Sequence, residues 1–445
     1  MDASTQPSGD ARGGYRLLRR LIDARPEEFK ALAWSWLYIF SIFSAYYVIR
    51  PIRDEIGVAG GIENLPWLFT GTLLGMLAVN PPFAALVARL PRTRFIAITY
   101  RFFMANLVIF FLLLRVATPE QAIWVGRVFF IWTSVFNLFV VSVFWALMVD
   151  IFNAEQGKRL FGFISAGATL GGIMGSSLTA ALARYIPPVY LLLGSALLLE
   201  VAVFSVRRLS RLSEALTRDP AARGEKAVIG GGMLAGIAHA FKSPYLLGIG
   251  IYMLLYSITS TFLYFEQAGI VARSFADRAA RTEFFARIDL LVNILTLASQ
   301  IFLTERILRA LGVALTLTLL PALSAIAFGA LAAAPTLAVL VAFQVLRRAG
   351  NFAFARPTRE VLFTVVPRED KYKTKNFIDT AVYRTGDQVG AWSYALFSFL
   401  GLGLTAIAFA AVPLSLAWLV NGWWLGRKQE ALAAVDETLA KVQRA

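Results

Sequence analysis

The residues best able to do chemistry in this sequence are charges embedded in long apolar runs. Arg50, Arg53, Asp54 and Glu55 crowd the end of a run that begins near residue 31. Arg347 and Arg348 are adjacent within another, and Arg384 and Asp387 stand three residues apart in a third, with Asp379 one to two turns before them. Glu266 falls towards the end of a fourth run, and Arg101 and Arg127 lie inside two more. A charge among apolar residues of a membrane segment is costly unless it faces a cavity or a partner. Carboxylates in these runs do not match the arginines in number. The simplest physical account is a water-filled cavity of positive potential. Such a cavity favours an anion, and the guanidinium fork suits phosphate or carboxylate. Tyr46, Tyr47 and Tyr383 neighbour the arginines in sequence and offer faces on which a ring could stack.

Each of these charges also has a purely structural reading. Arg101 and Arg127 can serve as packing devices that pair with neighbouring groups or backbone carbonyls. Arg384 and Asp387 can satisfy each other at i and i+3. Glu55 and Glu266 can be solvated groups near the outer surface rather than parts of a gate. Arg347 and Arg348 are harder to explain this way, because they point about 100° apart around a helix and two unpaired guanidiniums near the midplane are costly.

The elements that must position these residues follow from composition. The chain has 445 residues, 58% hydrophobic and only 16% charged, against roughly 25% charged in a soluble domain. Apolar runs of about 20 residues recur along almost its whole length, which reads as a multi-spanning helical membrane protein and excludes a soluble enzyme or a disordered chain. The net charge is +15. Lys and Arg collect in cytoplasmic loops of membrane proteins, and no nucleic-acid-binding module is present, so no nucleic-acid partner is expected. The absence of cysteine rules out disulfides and Cys-ligated metal sites. The single histidine, His239, stands alone, so no metal site is expected. There is no Walker A motif, dinucleotide fingerprint or nucleophile elbow. Gly230-Gly231-Gly232 is not followed by Gly-Lys-Ser/Thr. No catalytic residue and no cofactor are expected.

About twelve spans are predicted, near 31–50, 65–88, 95–114, 122–150, 160–183, 187–206, 244–268, 284–304, 311–332, 335–356, 375–399 and 402–424. The fourth is long enough to tilt or protrude. Asn80-Pro81-Pro82 is expected to interrupt the second. Gly167, Gly171 and Gly175 give the fifth a small-residue face for close packing. Basic loops place both termini on the cytoplasmic side. The basic stretch 273–287 (Arg273, Arg278, Arg281, Arg287) falls outside and violates that rule locally. The polar start of the chain shows no cleavable signal, so the first span is expected to act as one. The expected organisation is a cytoplasmic tail (1–29), an N-terminal six-helix half (30–206), a cytoplasmic linker (207–243), a C-terminal six-helix half (244–425) and a second cytoplasmic tail (426–445). Short basic turns at 88–92 and 305–312 recur at equivalent places in the halves. This all-α plan of two six-helix halves resembles the major facilitator superfamily, whose substrates bind near the midplane between the halves.

Several motifs are similar to those of the ATP/ADP translocases of plastids and intracellular bacteria. Glu28-Phe29-Lys30 leads into a span ending Tyr46-Tyr47-Val48-Ile49-Arg50-Pro51-Ile52-Arg53-Asp54. Lys158-Arg159-Leu160-Phe161 precedes Gly167-Ala168. The fullest match is Pro357-Thr358-Arg359-Glu360, then Lys371, Lys373 and Lys375 before Ile378-Asp379, then Arg384 and Gly386. The resemblance covers most of residues 26–425. It implies a twelve-span carrier that exchanges nucleotides or imports them with protons. It places Arg53 at a lysine position linked to substrate binding, and it suggests Glu266 for an acidic position in span seven. The chain departs from the family where Thr133 or a neighbour replaces an acid of span four. Asp387 stands where a lysine is common, which reverses a charge beside Arg384.

The leading expectation is an alternating-access secondary transporter of an organic anion, with a nucleotide the most specific choice. It would act as a monomer in a bacterial inner membrane. Arg50, Arg53, Tyr47, Arg347, Arg348 and Arg384 would bind the anion. Asp54, Glu266, Asp379 and Asp387 would gate or couple by exchanging arginine partners between states. One alternative is a proton-coupled transporter or exporter of an amphiphilic or peptide-like solute, with Glu266 or Asp387 as the proton site. The other is a non-transporting membrane partner or sensor.

Overall fold

The computed structural model describes residues 25–90, 92–216, 243–366, 374–375 and 377–442. Lys371, Lys373, His239 and the Gly230–Gly232 run lie outside the described residues. The first six helices are α1 (Phe29–Ala59), α2 (Leu65–Arg89), α3 (Arg92–Val116), α4 (Pro119–Ile151), α5 (Ala154–Leu182) and α6 (Leu191–Leu216). The second six are α7 (Pro244–Ser274), α8 (Arg278–Phe302), α9 (Thr304–Ala333), α10 (Leu337–Leu362), α11 (Tyr383–Phe399) and α12 (Leu404–Val442). Eleven of them are long and apolar enough to cross a membrane. The other, α11, has only 17 regular residues and continues from a π turn at Ile378–Val382. With that helix, twelve helices among the described residues stand where about twelve spans are expected.

Local sequence explains the ends. Thr118 caps α4 and Asn153 caps α5, each exchanging hydrogen bonds with a glutamine three residues on (Gln121 and Gln156). These side chains satisfy amides that the first turn leaves free. The fourth helix is long, 33 residues. Gly312, at φ 71°, breaks α9 into a short basic segment and a longer apolar one. That break coincides with the expected start of span nine, so the basic turn at 305–312 is itself helical. Pro81 and Pro82 do not interrupt α2, which runs unbroken through both. A proline removes one amide donor but leaves the flanking turns intact when neighbouring helices hold them. The sixth helix continues to Leu216, so Arg207, Arg208 and Arg211 extend a helix rather than open a loop. The last helix likewise continues past the expected end of the final span.

Alternation of direction puts the helix ends on two faces. One face bears the first and last described residues and is called here the terminal face; the other is the opposite face. Close helix pairs repeat between the halves. A Cβ on Gly171 of α5 would sit 2.4 Å from the Phe40 carbonyl oxygen of α1. A Cβ on Gly386 of α11 would sit 2.6 Å from Ser257 Cβ of α7. Helices one and five, and seven and eleven, therefore approach backbone to backbone, as small-residue faces permit. This is a firmer internal repeat than the two basic turns.

The apolar packing differs between the faces. One buried cluster lies wholly in the first half, from Ala31 to Leu209. A second lies wholly in the other half near the terminal face, around Tyr252, Leu317 and Trp418. A third joins the halves at the opposite face. There Val58, Leu65, Leu68 and Phe130 pack with Phe262, Phe265, Phe285 and Tyr394.

Candidate functional site

Between the halves lies a cavity of about 290 Å³, walled by α1, α2 and α4 on one side and α7, α10 and α11 on the other. All five expected anion-binding arginines, Arg50, Arg53, Arg347, Arg348 and Arg384, line it, as do Asp54 and Asp387. Helical spacing explains the convergence on α10. Gln344, Arg347, Arg348 and Asn351 follow i, i+3, i+4, i+7 and form one polar stripe. The helix then passes into a π turn at Asn351–Ala355, a distortion often found at functional sites.

The arginines differ in their partners. Arg53 holds Asp54 through Nη2 at 2.6 Å and Nε at 3.0 Å, and its guanidinium lies 4.9 Å from the Phe130 ring centre. The Tyr264 hydroxyl donates to the same Asp54 carboxylate at 3.1 Å, across the boundary between the halves. Arg50 reaches across as well, with Nη1 3.1 Å from Asp289 Oδ1 on α8. Arg348 places Nη2 2.7 Å from that same oxygen. Arg384 and Asp387 form the expected i, i+3 pair at 3.1 Å, and the Ser257 hydroxyl lies 2.6 Å from the other Asp387 oxygen.

Arg347 is held differently. It is 3% exposed and has no carboxylate partner among the described residues. Its guanidinium donates to Ser324 Oγ (3.1 Å), Ser260 Oγ (2.7 Å), Thr259 Oγ1 (2.8 Å) and the Tyr256 carbonyl (3.2 Å). It also lies 5.2 Å from the Tyr256 ring centre. Neutral oxygens and an aromatic face lower the cost of burial without neutralising the charge. A positive charge therefore remains at the cavity wall.

Three expected site residues lie outside the lining. Tyr47 is buried behind Arg50, whose guanidinium sits 5.7 Å from its ring centre. Glu266 is buried at 1% exposure. The Tyr394 hydroxyl donates to its Oε1 at 3.3 Å, and its Oε2 has no hydrogen-bond partner. Asp379 pairs with Arg359 at 3.1 Å, towards the terminal face. Arg101 pairs with Glu200 at 2.7 Å on the bundle surface, and Arg127 lies over the Trp124 ring. Neither lines the cavity, which agrees with the packing reading.

Asp289 is the principal residue that sequence reasoning missed. It is an acid within an apolar run, the same signal that marked the arginines. It supplies part of the negative charge that the sequence had left uncounted. Tyr264 and the amides of Gln267, Gln344 and Gln388 also line the cavity. They carried no signal, because uncharged polar residues are common in membrane helices.

At the opposite face, polar pairs tie the halves together. Arg278 at the start of α8 grips Glu55 of α1 through two bonds, at 2.9 and 3.0 Å. Glu283 of α8 pairs with Arg184 beyond α5 and with Arg287. Thr70 of α2 and Gln388 of α11 lie 2.9 Å apart, and Trp67 meets Trp392 edge to face. The basic stretch 273–287 is thereby explained: two of its arginines serve carboxylates. Glu55 is paired across the halves rather than merely solvated.

At the terminal face the ion pairs seen among the described residues lie within a half. Glu28 accepts from Arg159 (3.0 Å), Gln156 (2.8 Å) and the Arg25 amide (2.9 Å), joining the starts of α1 and α5. Burial alone would raise the Glu28 pKa, but the donors from Arg25, Gln156 and Arg159 outweigh it and hold the carboxyl below the ordinary glutamate range. In the other half Arg359 pairs with Asp379, and Glu360 pairs with Lys375. Glu28, Arg159, Arg359, Glu360, Lys375 and Asp379 are thus ion-paired within their own halves.

No family model matches the chain. It is similar to ADP,ATP carrier protein 2 of Chlamydia pneumoniae, at 21% identity over 96% of this chain and 94% of the relative. It is also similar to ADP,ATP carrier protein 2 of Chlamydia trachomatis serovar D, at 24% identity over 70% of this chain and 68% of the relative. Among solved structures, a bacterial homologue of the iron transporter ferroportin in an inward-facing state superposes with a TM-score of 0.63 at 13% identity, covering 89% of this chain and 98% of that one. The nucleoside transporter NupG superposes with a TM-score of 0.53 at 15% identity, over 91% and 99% of the two chains. The chain is a multi-pass membrane protein with the major facilitator fold, and these relatives and structural neighbours are transporters, not enzymes.

Proposed function

We propose that this protein is an alternating-access secondary transporter of an organic anion, with a nucleotide as its substrate. The observation that carries this reading is the convergence of five arginines from both halves on one cavity. Arg347 stands there with no carboxylate partner among the described residues. Aromatic rings of Phe69, Phe130, Tyr256 and Tyr264 share the wall and offer stacking surfaces for a base. Similarity to an ADP,ATP carrier protein along nearly the whole chain supports the same class.

The terminal face is assigned to the cytoplasm of a bacterial inner membrane, in line with the basic residues gathered there. The cross-half pairs of the opposite face then close the outer side, and the cavity opens inward. Binding couples to gating through shared partners. An anion reaching Arg50 or Arg348 competes with Asp289, and one reaching Arg53 or Arg384 competes with Asp54 or Asp387. Substrate that releases these ties favours one state over the other, which is what a ligand must do to shift an equilibrium. The protein acts as a monomer, with the route between its own halves.

The test is uptake of radiolabelled adenine nucleotides by intact bacterial cells making the protein, against an empty-vector control and with a chase of unlabelled nucleotide. Saturable uptake released by the chase is expected. No uptake by cells holding folded protein in the membrane defeats the nucleotide reading.

A second reading has one observation in its favour. Glu266 is buried against the Tyr394 hydroxyl and forms no ion pair among the described residues, the setting of a proton-carrying carboxyl. Proton coupling there predicts uptake that follows an imposed pH gradient and is lost in Glu266→Gln.

A further inference from the structure

The partners of the five arginines allow a count of charge. Asp54 lies against Arg53, with Arg50 farther off at 3.8 Å. Asp289 serves Arg50 and Arg348 through a single oxygen. Asp387 serves Arg384. No other carboxylate among the described residues pairs with these arginines. Five guanidiniums therefore face three carboxylates, and two positive charges remain. One is Arg347, surrounded by hydroxyls and a carbonyl. The other belongs to the Arg50–Arg348 couple, which shares one acid. Arg50 Nε is buried without a hydrogen-bond acceptor, 3.8 Å from Asp54 Oδ2. Arg347 and Arg348 are neighbours on one helix, and the surplus is concentrated at their end of the cavity.

From this count we propose that the site is matched to a dianion, and, resting on the nucleotide reading above, that its substrate class is a nucleoside monophosphate rather than a di- or triphosphate. A phosphomonoester carries about −1.5 to −2 charge at neutral pH, which neutralises the surplus. Its three acceptor oxygens suit a guanidinium pair. Further phosphoryl groups add negative charge for which the cavity holds no free cation. Such a group must either displace Asp54, Asp289 or Asp387 from an arginine or remain unneutralised when the cavity closes around it. The phosphate sits at the Arg347–Arg348 end, with the Gln344 and Asn351 amides alongside. The base stacks in the aromatic part of the same cavity, between Tyr256 and the Phe130–Tyr264 side.

The test is binding of AMP, ADP, ATP, adenosine and inorganic phosphate to the purified full chain in lipid nanodiscs at fixed salt and without magnesium, read by displacement of labelled AMP. AMP is expected to bind at least tenfold tighter than ATP and than phosphate. Asp387→Asn adds one positive charge and is expected to move the preference towards ADP, while Arg347→Gln weakens AMP at least tenfold and adenosine by less, so that the ratio of AMP to adenosine affinity falls. Tighter binding of ADP or ATP than of AMP by the wild-type protein overturns the proposal and leaves nucleotide transport standing. Phosphate binding as tightly as AMP overturns it too, because no base is then recognised. Failure of every nucleotide to bind or to be taken up removes both this proposal and the function on which it rests. The wild-type series decides the matter even where a variant does not fold.

Discussion

Arg50 of the first half lies 3.1 Å from Asp289 of the second, and Asp289 gives the same oxygen to Arg348 of its own half. One acid thus links the halves at the edge of the cavity and holds two arginines that face its interior. Asp289 is 1% exposed, so water does little to screen the link.

Asp289→Asn should be strongly destabilising in the substrate-free protein. Breaking a buried pair from one side leaves its partner charges uncompensated, at a cost of roughly 3–5 kcal/mol. Thermal unfolding in detergent would show it as a lowered midpoint, and Arg50→Ala combined with Asp289→Ala should lose less than the two single changes added together. Strict additivity would mean that the two groups do not interact.

Arg347→Lys should not rescue function. Lysine keeps the charge but cannot span Ser324, Ser260, Thr259 and the Tyr256 carbonyl as the planar fork does. Hydrogen bonds to charged groups contribute about 1.5–3 kcal/mol each, so a drop in transport of at least about tenfold is expected. Initial uptake rates, normalised to protein in the membrane, measure it; a wild-type rate would refute the assignment.

Glu55→Gln should loosen the opposite face. The Arg278 fork would lose its charged acceptor, and Thr70–Gln388 would remain as a neutral tie. The absence of native cysteine makes the readout clean. A single Ser134→Cys change puts a thiol in the cavity wall, and a membrane-impermeant thiol reagent can be applied from either side. Glu55→Gln should raise labelling from the outside. Unchanged labelling would show that this pair does not hold the closed face.

Gly171→Val should fold poorly or not at all. The first added carbon already falls 2.4 Å from the Phe40 carbonyl, a backbone atom that cannot step aside. Overpacking of this kind typically costs about 1–3 kcal/mol or more. Unfolding midpoint and yield report it, and Gly162→Val, where a Cβ meets nothing, serves as the control.

Glu28→Gln gives a pH-dependent effect. The folded protein holds the Glu28 carboxyl below its ordinary range, so its contribution is present above the unfolded pKa and is lost as pH falls through the folded one. Wild type should therefore be more stable than Glu28→Gln at neutral pH, and the gap should close on acidification below the usual glutamate pKa. A gap that is constant with pH would show that the Glu28 charge is not what stabilises the junction with Arg159.

Much of this architecture was legible from residue type alone. Runs of about 20 apolar residues give the crossings, because every backbone group in a bilayer must be satisfied within a helix. The same physics singled out Arg50, Arg53, Arg347, Arg348 and Arg384, since a charge in such a run needs a reason, and all five meet in one cavity. Partnership was not legible. Sequence could not say that Arg50 answers to Asp289 across some 240 positions, that Arg278 belongs to Glu55 rather than to a loop, or that Arg347 answers to no acid among the described residues. It also could not place Glu266 and Asp379 away from the cavity. Those outcomes depend on which helix faces meet, and close backbone contacts such as that of Gly171 with Phe40 fix them. The sequence determines where charge enters the membrane; only the packing of helices from opposite halves decides which charges are neutralised and which remain for a ligand.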